Sequence, residues 1–193
     1  MIKIGLTGGI GSGKTVVASL LEIMGIPVYI ADIESKKLTD ISPVIQEKLT
    51  ALFGKEIYTP KGLNRPLLAS YIFEHPENLK AVNAIIHPEV NLHFLNWVAH
   101  QKGDICAIES AILFESGFDC IVDASIMVYA PIEIRIRRTC KRSNLTREEV
   151  ENRINNQLSD EIKKQQSHYV IYNDGSRALI PQLEEIIQVL RSK

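Results

Sequence analysis

The stretch Gly8-Gly9-Ile10-Gly11-Ser12-Gly13-Lys14-Thr15 constrains this chain more than any other. It satisfies G-x-x-x-x-G-K-[ST], the Walker A pattern of a phosphate-binding loop. The pattern carries chemistry only between a strand and a helix, and its flanks supply both. Ile2-Lys3-Ile4-Gly5-Leu6 reads as a short buried strand, and Val16-Val17-Ala18-Ser19-Leu20-Leu21 as the body of a helix. Glycine-rich backbone curls until several N–H groups point at one phosphate. The helix that follows adds the positive end of its dipole at the same place. In such a loop Lys14 reaches the β- and γ-phosphates, and the Thr15 hydroxyl holds Mg²⁺. A glycine turn with a chance lysine is the plainer alternative, and the strand–loop–helix context weighs against it.

Composition narrows the surroundings of that loop. The chain has 193 residues, 45% hydrophobic and 23% charged, which suits one domain with insertions. A net charge of −1 gives no field that favours nucleic acid or an anionic membrane. No apolar run approaches the roughly 20 residues that cross a bilayer. The chain enters a strand at once, with no basic and apolar leader, so no signal peptide is expected. Cys106, Cys120 and Cys140 are odd in number and lack C-x-x-C spacing. Neither a disulfide framework nor a zinc site is expected. Each cysteine reads as a small buried hydrophobe, and the cytoplasm as the compartment.

The first helix runs to about Met24, where Gly25 provides a stop. Pro27-Val28-Tyr29-Ile30 is a second strand, followed by Ala31-Asp32. In open α/β sheets ligands bind outside the carboxyl ends of the strands. Asp32 is thus a candidate for catalysis or metal binding; the alternative is an N-cap for a helix beginning near Ile33. From 33 to 102 helical periodicity dominates. Ser42-Pro43 opens a helix that stops at Gly54, and Thr59-Pro60-Lys61-Gly62 is a turn. Arg65–Phe73, Pro76–Ile86 and a segment from Pro88 to about Gln101 read as three further helices. By fold analogy such an insertion holds a second substrate. Arg65 stands at a helix start, unfavourable for a cation, which suggests an anionic partner. His87, before Pro88, reads as a ligand or as a histidine packed into a helix–helix corner.

Ile105-Cys106-Ala107-Ile108 returns to strand character and ends in Glu109, placed where a Walker B acid orients Mg²⁺ or its water; an ordinary strand exit is the alternative. Ala124–Tyr129 is a fourth strand, apolar throughout enough to be buried on both faces. Pro131 then opens a helix with five cations and no acid from 135 to 142: Arg135, Arg137, Arg138, Lys141 and Arg142. Ile132, Ile136 and Cys140 share an apolar stripe, while Arg135, Arg138 and Arg142 fall within about 60° on another face. Those arginines suit phosphate oxygens, and the helix reads as leading into a lid. Thr146-Arg147-Glu148-Glu149 is a capping box opening a helix to about Leu158, and a polar, mobile segment is expected to follow to Gln166. His168–Tyr172 is a fifth strand, Asn173-Asp174-Gly175 ends it, and Leu179–Leu190 is a packing helix.

These residues together resemble the dephospho-coenzyme A kinase family. Leu6-Thr7-Gly8-Gly9-Ile10-Gly11-Ser12-Gly13-Lys14 is similar to its loop almost residue for residue. Val28 to Asp32, Gly62-Leu63-Asn64-Arg65 with Leu68, His87-Pro88 and Leu113-Phe114-Glu115 resemble its successive motifs. Arg138, Arg142 and Gln157 resemble the arginines and glutamine of its lid, and Asn173 with Gly175 its late turn. The motifs span most of the chain in the family's order. Four positions depart from the pattern: Ile30 where a first aspartate is frequent, Glu109 for aspartate, Ala111 for proline and Arg135 for glutamine.

The resemblance implies an α/β fold: the P-loop NTPase three-layer α/β/α arrangement with a five-stranded parallel sheet. It implies a core of 1–32, 103–137 and 167–193, a helical coenzyme A-binding insertion at 33–102 and a helical lid at 138–166. The implied reaction moves the γ-phosphoryl of ATP to the 3′-hydroxyl of the ribose in dephospho-CoA, with Mg²⁺. Lys14, Arg138 and Arg142 would stabilise the transferring group, and Asp32 would be the general base. Gly8–Thr15 and Asn173 would bind ATP, Thr15 and Glu109 would serve the metal, and Asp32, Arg65 and His87 would bind the acceptor. No nucleic-acid or membrane partner is implied, and a monomer with at most weak self-association is expected.

Overall fold

The structure, a computed structural model, describes residues 1–192, apart from the side chains of residues 74 and 76. β1 (Ile2–Thr7) passes through the glycine-rich loop into α1 (Lys14–Ile23), and β2 (Val28–Ile30) follows. Then come α2 (Ala31–Ile41), α3 (Pro43–Phe53), the two-residue strands β3 (Tyr58–Thr59) and β4 (Gly62–Leu63), α4 (Arg65–Glu74) and α5 (Pro76–Ala99). β5 (Ile105–Glu109), β6 (Ala124–Tyr129) and α6 (Ile132–Ser143) are next. α7 (Arg147–Asn155), α8 (Asp160–Gln166), β7 (Tyr169–Tyr172) and α9 (Leu179–Arg191) follow. These elements form two compact units, Ala31–His100 and the remainder of the described chain.

The larger unit is built on a sheet of order β2-β5-β1-β6-β7, parallel at every pairing. β1 is central, as the first strand of a phosphate-binding βα unit must be for its loop to emerge mid-sheet. Alternation sends Ile4 and Leu6 to one face, where Val17, Ala18 and Leu21 of α1 and Leu183, Ile187 and Leu190 of α9 cover them. Gly5 points to the other face, and a Cβ there would lie 2.7 Å from the Leu113 side chain. The segment holding Leu113 therefore packs directly on the strand backbone. α8 packs on β6, and its Lys163, fully buried, donates to the Ala111 carbonyl at 2.5 Å. The result is the expected three-layer α/β/α arrangement around five parallel strands.

The helical unit packs α2, α3 and α4 against α5. Ser42 caps α3 as its spacing predicts, accepting from the Ile45 N–H at 3.4 Å. One local expectation forms as read and a second needs correction. The turn at 59–62 closes a small antiparallel hairpin pairing Tyr58 with Leu63 and Thr59 with Gly62. The two helices expected on either side of Pro88 are one, α5, with Pro88 inside it. An interior proline deletes one helical hydrogen bond and costs about 3 kcal/mol. The apolar stripe Val82, Ile86, Val90 and Phe94, at 3%, 9%, 1% and 0% exposure, crosses Pro88 at four-residue spacing. Breaking the helix would turn half of that stripe away from its packing, and burial at about 25 cal/mol per Å² outweighs one hydrogen bond. His87 thus lies mid-helix and not at a corner.

Candidate active site

Three glycines of the loop hold positive φ: Gly8 at 143°, Gly11 at 78° and Gly13 at 99°. Gly13 shows why the residue type is required. It precedes α1 in left-handed geometry, and a Cβ on it would overlap the Asn173 side-chain amide. The loop closes on itself through Ser12 N–H to the Gly9 carbonyl at 3.1 Å, and Lys14 Nζ donates to the same carbonyl at 3.4 Å. No side chain caps α1, and no acid stands in its first turn. The positive end of the α1 dipole therefore meets no capping side chain and no first-turn carboxylate, an arrangement that favours an anion there.

Other elements of the larger unit grip the loop from outside. Asn173, just past β7, donates through Nδ2 to the Ser12 carbonyl at 2.8 Å, and its own N–H donates to the Tyr129 carbonyl at 2.8 Å. Arg138 Nη1 donates to the Asn173 carbonyl at 3.0 Å. Arg138 is half-buried beside this turn, whereas Arg142, in the last turn of α6, is exposed. Glu109 ends β5 at 7% exposure, in register with Leu6 of β1 and Ile30 of β2. The loop, Lys14, Thr15, Glu109, Arg138 and Asn173 thus all belong to the carboxyl end of one sheet.

Asp32, Arg65 and His87 belong to the helical unit. Asp32 is exposed in the first turn of α2, which starts directly after β2 at Ala31. It is not an N-cap, because the helix already includes it; its carboxylate simply stands at the favourable end of the dipole. Arg65 is the first residue of α4, and its anionic partner is internal: Nη2 donates to Asp40 Oδ2 at 2.8 Å and to the Lys36 carbonyl at 3.1 Å. The Arg65 hydrogen bond holds the Asp40 carboxyl below its usual range. Burial, reinforced by the Asp40 charge, pushes the Tyr58 phenol up to about 12. Burial also lowers the pKa of His87 within α5.

The arginine helix departs from its helical-wheel reading. Ile132 is 51% exposed, while Arg135 is 2% exposed, not aligned with Arg142 on an open face. Arg135 Nε donates to the Ile10 carbonyl at 2.9 Å, and Nη1 pairs with Asp160. A wheel assigns faces but not which of them meets protein. The segment after α7 also differs: α7 ends at Asn155, and α8 is anchored by Lys163. Gln157 Oε1 accepts from the Ile10 N–H at 3.1 Å. Asp160 and Lys163 carry no signal in a polar stretch; only the carbonyls and acids they meet reveal them. Among the cysteines, Cys106 is buried and burial pushes its thiol up to about 11, but Cys120 is exposed and Cys140 half-buried.

Thr15 and Glu109 offer hard oxygen donors, and no group of three or more His, Cys, Asp or Glu suited to a metal occurs among the described residues. This sparse set fits Mg²⁺, which keeps several waters and takes one or two protein oxygens plus phosphates.

A family model described as dephospho-CoA kinase matches residues 2–178. The dephospho-CoA kinase of Bacteroides fragilis (strain YCH46) is 50% identical over 193 residues, covering 100% of this chain and 94% of that protein. That of Porphyromonas gingivalis (strain W83) is 43% identical over 194 residues, covering 100% and 96%. The crystal structure of TT1252 from Thermus thermophilus superposes with a TM-score of 0.82 at 35% identity, covering 99% of this chain and 96% of that one.

Proposed function

The chain belongs to the dephospho-CoA kinase family, and from that premise we propose that it transfers the γ-phosphoryl group of ATP to the 3′-hydroxyl of the dephospho-CoA ribose, the last step of coenzyme A synthesis. The observation that carries this reading is the loop geometry: an uncapped helix start behind a glycine cradle, with Lys14 folded onto the loop and Asn173 holding it from outside.

Phosphoryl transfer asks a protein for positioning and charge neutralisation more than for covalent chemistry. The loop N–H groups bind the phosphates of ATP, and Lys14 follows the γ-phosphate as charge builds on it. Thr15, with Glu109 behind it through water, would hold Mg²⁺, which supplies electrostatic stabilisation when bound. Arg138 and Arg142 neutralise the transferring group, and within residues 138–166 the exposed α7, rather than the anchored α8, serves as the lid that excludes water. Asp32 orients the acceptor hydroxyl and takes its proton. Arg65 and His87 belong to the acceptor side, in a coenzyme A-binding insertion spanning 33–102. The working form is a monomer in the cytoplasm. No helix among the described residues is long and apolar enough to cross a membrane.

Incubation with ATP, Mg²⁺ and dephospho-CoA should yield coenzyme A and ADP in equal amounts, detected by mass. ADP without coenzyme A would overturn the acceptor assignment, and no ATP consumption would overturn the reading as a whole.

A further inference from the structure

The backbone at Ile10 is gripped on both sides, once on each of the two peptide groups that flank its Cα. The Ile10 N–H donates to Gln157 Oε1 at 3.1 Å, and the Ile10 carbonyl accepts from Arg135 Nε at 2.9 Å. The Arg135 guanidinium also lies against Gly9, so that a Cβ there would overlap it. Gly11 meets the same residue, since a Cβ on it would strike the Arg135 carbonyl and the Thr139 hydroxyl that donates to that carbonyl. Arg135 therefore touches the loop along three consecutive residues.

The side chains holding Ile10 are themselves held. Arg135 Nη1 pairs with Asp160, the first residue of α8, and Gln157 lies three residues earlier in the connection between α7 and α8. That connection is tied down by the Leu158 N–H, which donates to Glu115 Oε1 at 2.8 Å. Lys163 pairs with the same oxygen at 2.9 Å. A continuous polar chain thus runs from 111–115 through 157–163 to Arg135 and the loop.

Stability alone does not account for a buried arginine–aspartate pair, because apolar residues of similar volume commonly stabilise as well or better. The pair supplies something apolar residues lack: a fixed donor aimed at the Ile10 carbonyl. That matters because a loop peptide has two orientations. One directs N–H groups of the cradle at phosphate, and the other brings in a carbonyl that repels it.

We propose that Arg135 and Gln157 are positioning residues for ATP, which fix the two peptide groups flanking Ile10, Gln157 through the Ile10 N–H and Arg135 through the Ile10 carbonyl, while Asp160 holds Arg135 in place. The phosphate loop is then preset by the α7–α8 connection, and the two are mechanically coupled. The inference rests on the reading of residues 8–15 as the ATP loop.

The test compares Gln157→Ala, Asp160→Asn and Lys14→Ala with the parent. It measures calorimetric MgATP binding, KM for each substrate, kcat and the melting temperature. Gln157 is half-buried at the surface, so its replacement spares the core. Gln157→Ala is expected to weaken ATP binding about 3- to 10-fold, the range of one hydrogen bond. Its KM for dephospho-CoA should stay within about twofold, with an unchanged melting temperature. Asp160→Asn keeps an acceptor for Arg135 but leaves its buried charge uncompensated, so it should lower the melting temperature and weaken ATP binding while KM for dephospho-CoA stays near the parent value. Unchanged ATP affinity in Gln157→Ala, or equal losses for both substrates with a lowered melting temperature, would overturn the proposal. If Lys14→Ala weakens ATP binding while Gln157→Ala does not, only this inference falls. If Lys14→Ala leaves ATP binding intact, the loop reading falls and takes the inference with it.

Discussion

Replacing Lys163 with methionine isolates the energy of the contact that anchors α8. The lysine is 0% exposed, and Nζ donates to the Ala111 carbonyl at 2.5 Å and pairs with Glu115 Oε1 at 2.9 Å. Methionine keeps most of the stem volume, so little cavity opens. What disappears is a charge from a buried pair, a change that costs about 3–5 kcal/mol when one partner is left behind. The Glu115 side chain retains 22% exposure and still accepts from the Leu158 N–H, so water recovers part of its solvation. The expected loss is therefore near the lower bound, about 3 kcal/mol. At about 2–4 °C per kcal/mol for a chain of this size, the melting temperature should fall by roughly 6–12 °C. Differential scanning calorimetry reads this directly. A second variant, Lys163→Met with Glu115→Leu, removes the orphaned carboxylate and should melt above the single variant. A single variant within about 2 °C of the parent, or a double variant no better than the single, would refute the account of Lys163 as a stabilising charge partner.

Three further outcomes follow from other parts of the structure. Gly13→Ala places a Cβ on the Asn173 amide at a φ of 99°, so ATP affinity should drop more than about tenfold by titration calorimetry. Asp32→Asn, on an exposed helix turn, should leave melting and ATP binding intact while kcat falls by about 10²-fold or more; near-normal turnover would remove its role as base. His87 makes stability pH-dependent. Burial lowers its folded pKa below the ordinary 6.5, so the unfolded chain binds more protons in the interval between the two. Its contribution is complete above 6.5 and is lost as pH falls through the lowered value. Urea titrations across this range should show that slope in the parent and not in His87→Leu.

Features governed by near neighbours are legible in the sequence. The Ser42 cap and the capping box at Thr146 and Glu149 form as spaced, because their donors and acceptors lie three residues apart. The five parallel strands are equally readable, since buried strands carry apolar runs that local composition exposes. Pro88 misleads because the rule for proline is local, whereas the stripe that overrides it is satisfied by α2, α3 and α4. Arg135 and Lys163 mislead for the converse reason. Long cations in a polar stretch default to solvent, and only a carbonyl or carboxylate brought from elsewhere justifies their burial.

The loop shows the division most clearly. Residues 8–15 alone determine that the chain can cradle phosphate, because the glycines, the lysine and the threonine are contiguous and their geometry follows from backbone sterics and one helix start. Which groups hold that cradle is decided only in three dimensions. Arg135, Gln157 and Asn173 reach it across 125, 147 and 161 residues of sequence. No spacing rule connects them, because the parallel sheet brings together strand ends that crossover connections keep far apart along the chain. The motif specifies what is bound, and the fold supplies the side chains that hold it in shape.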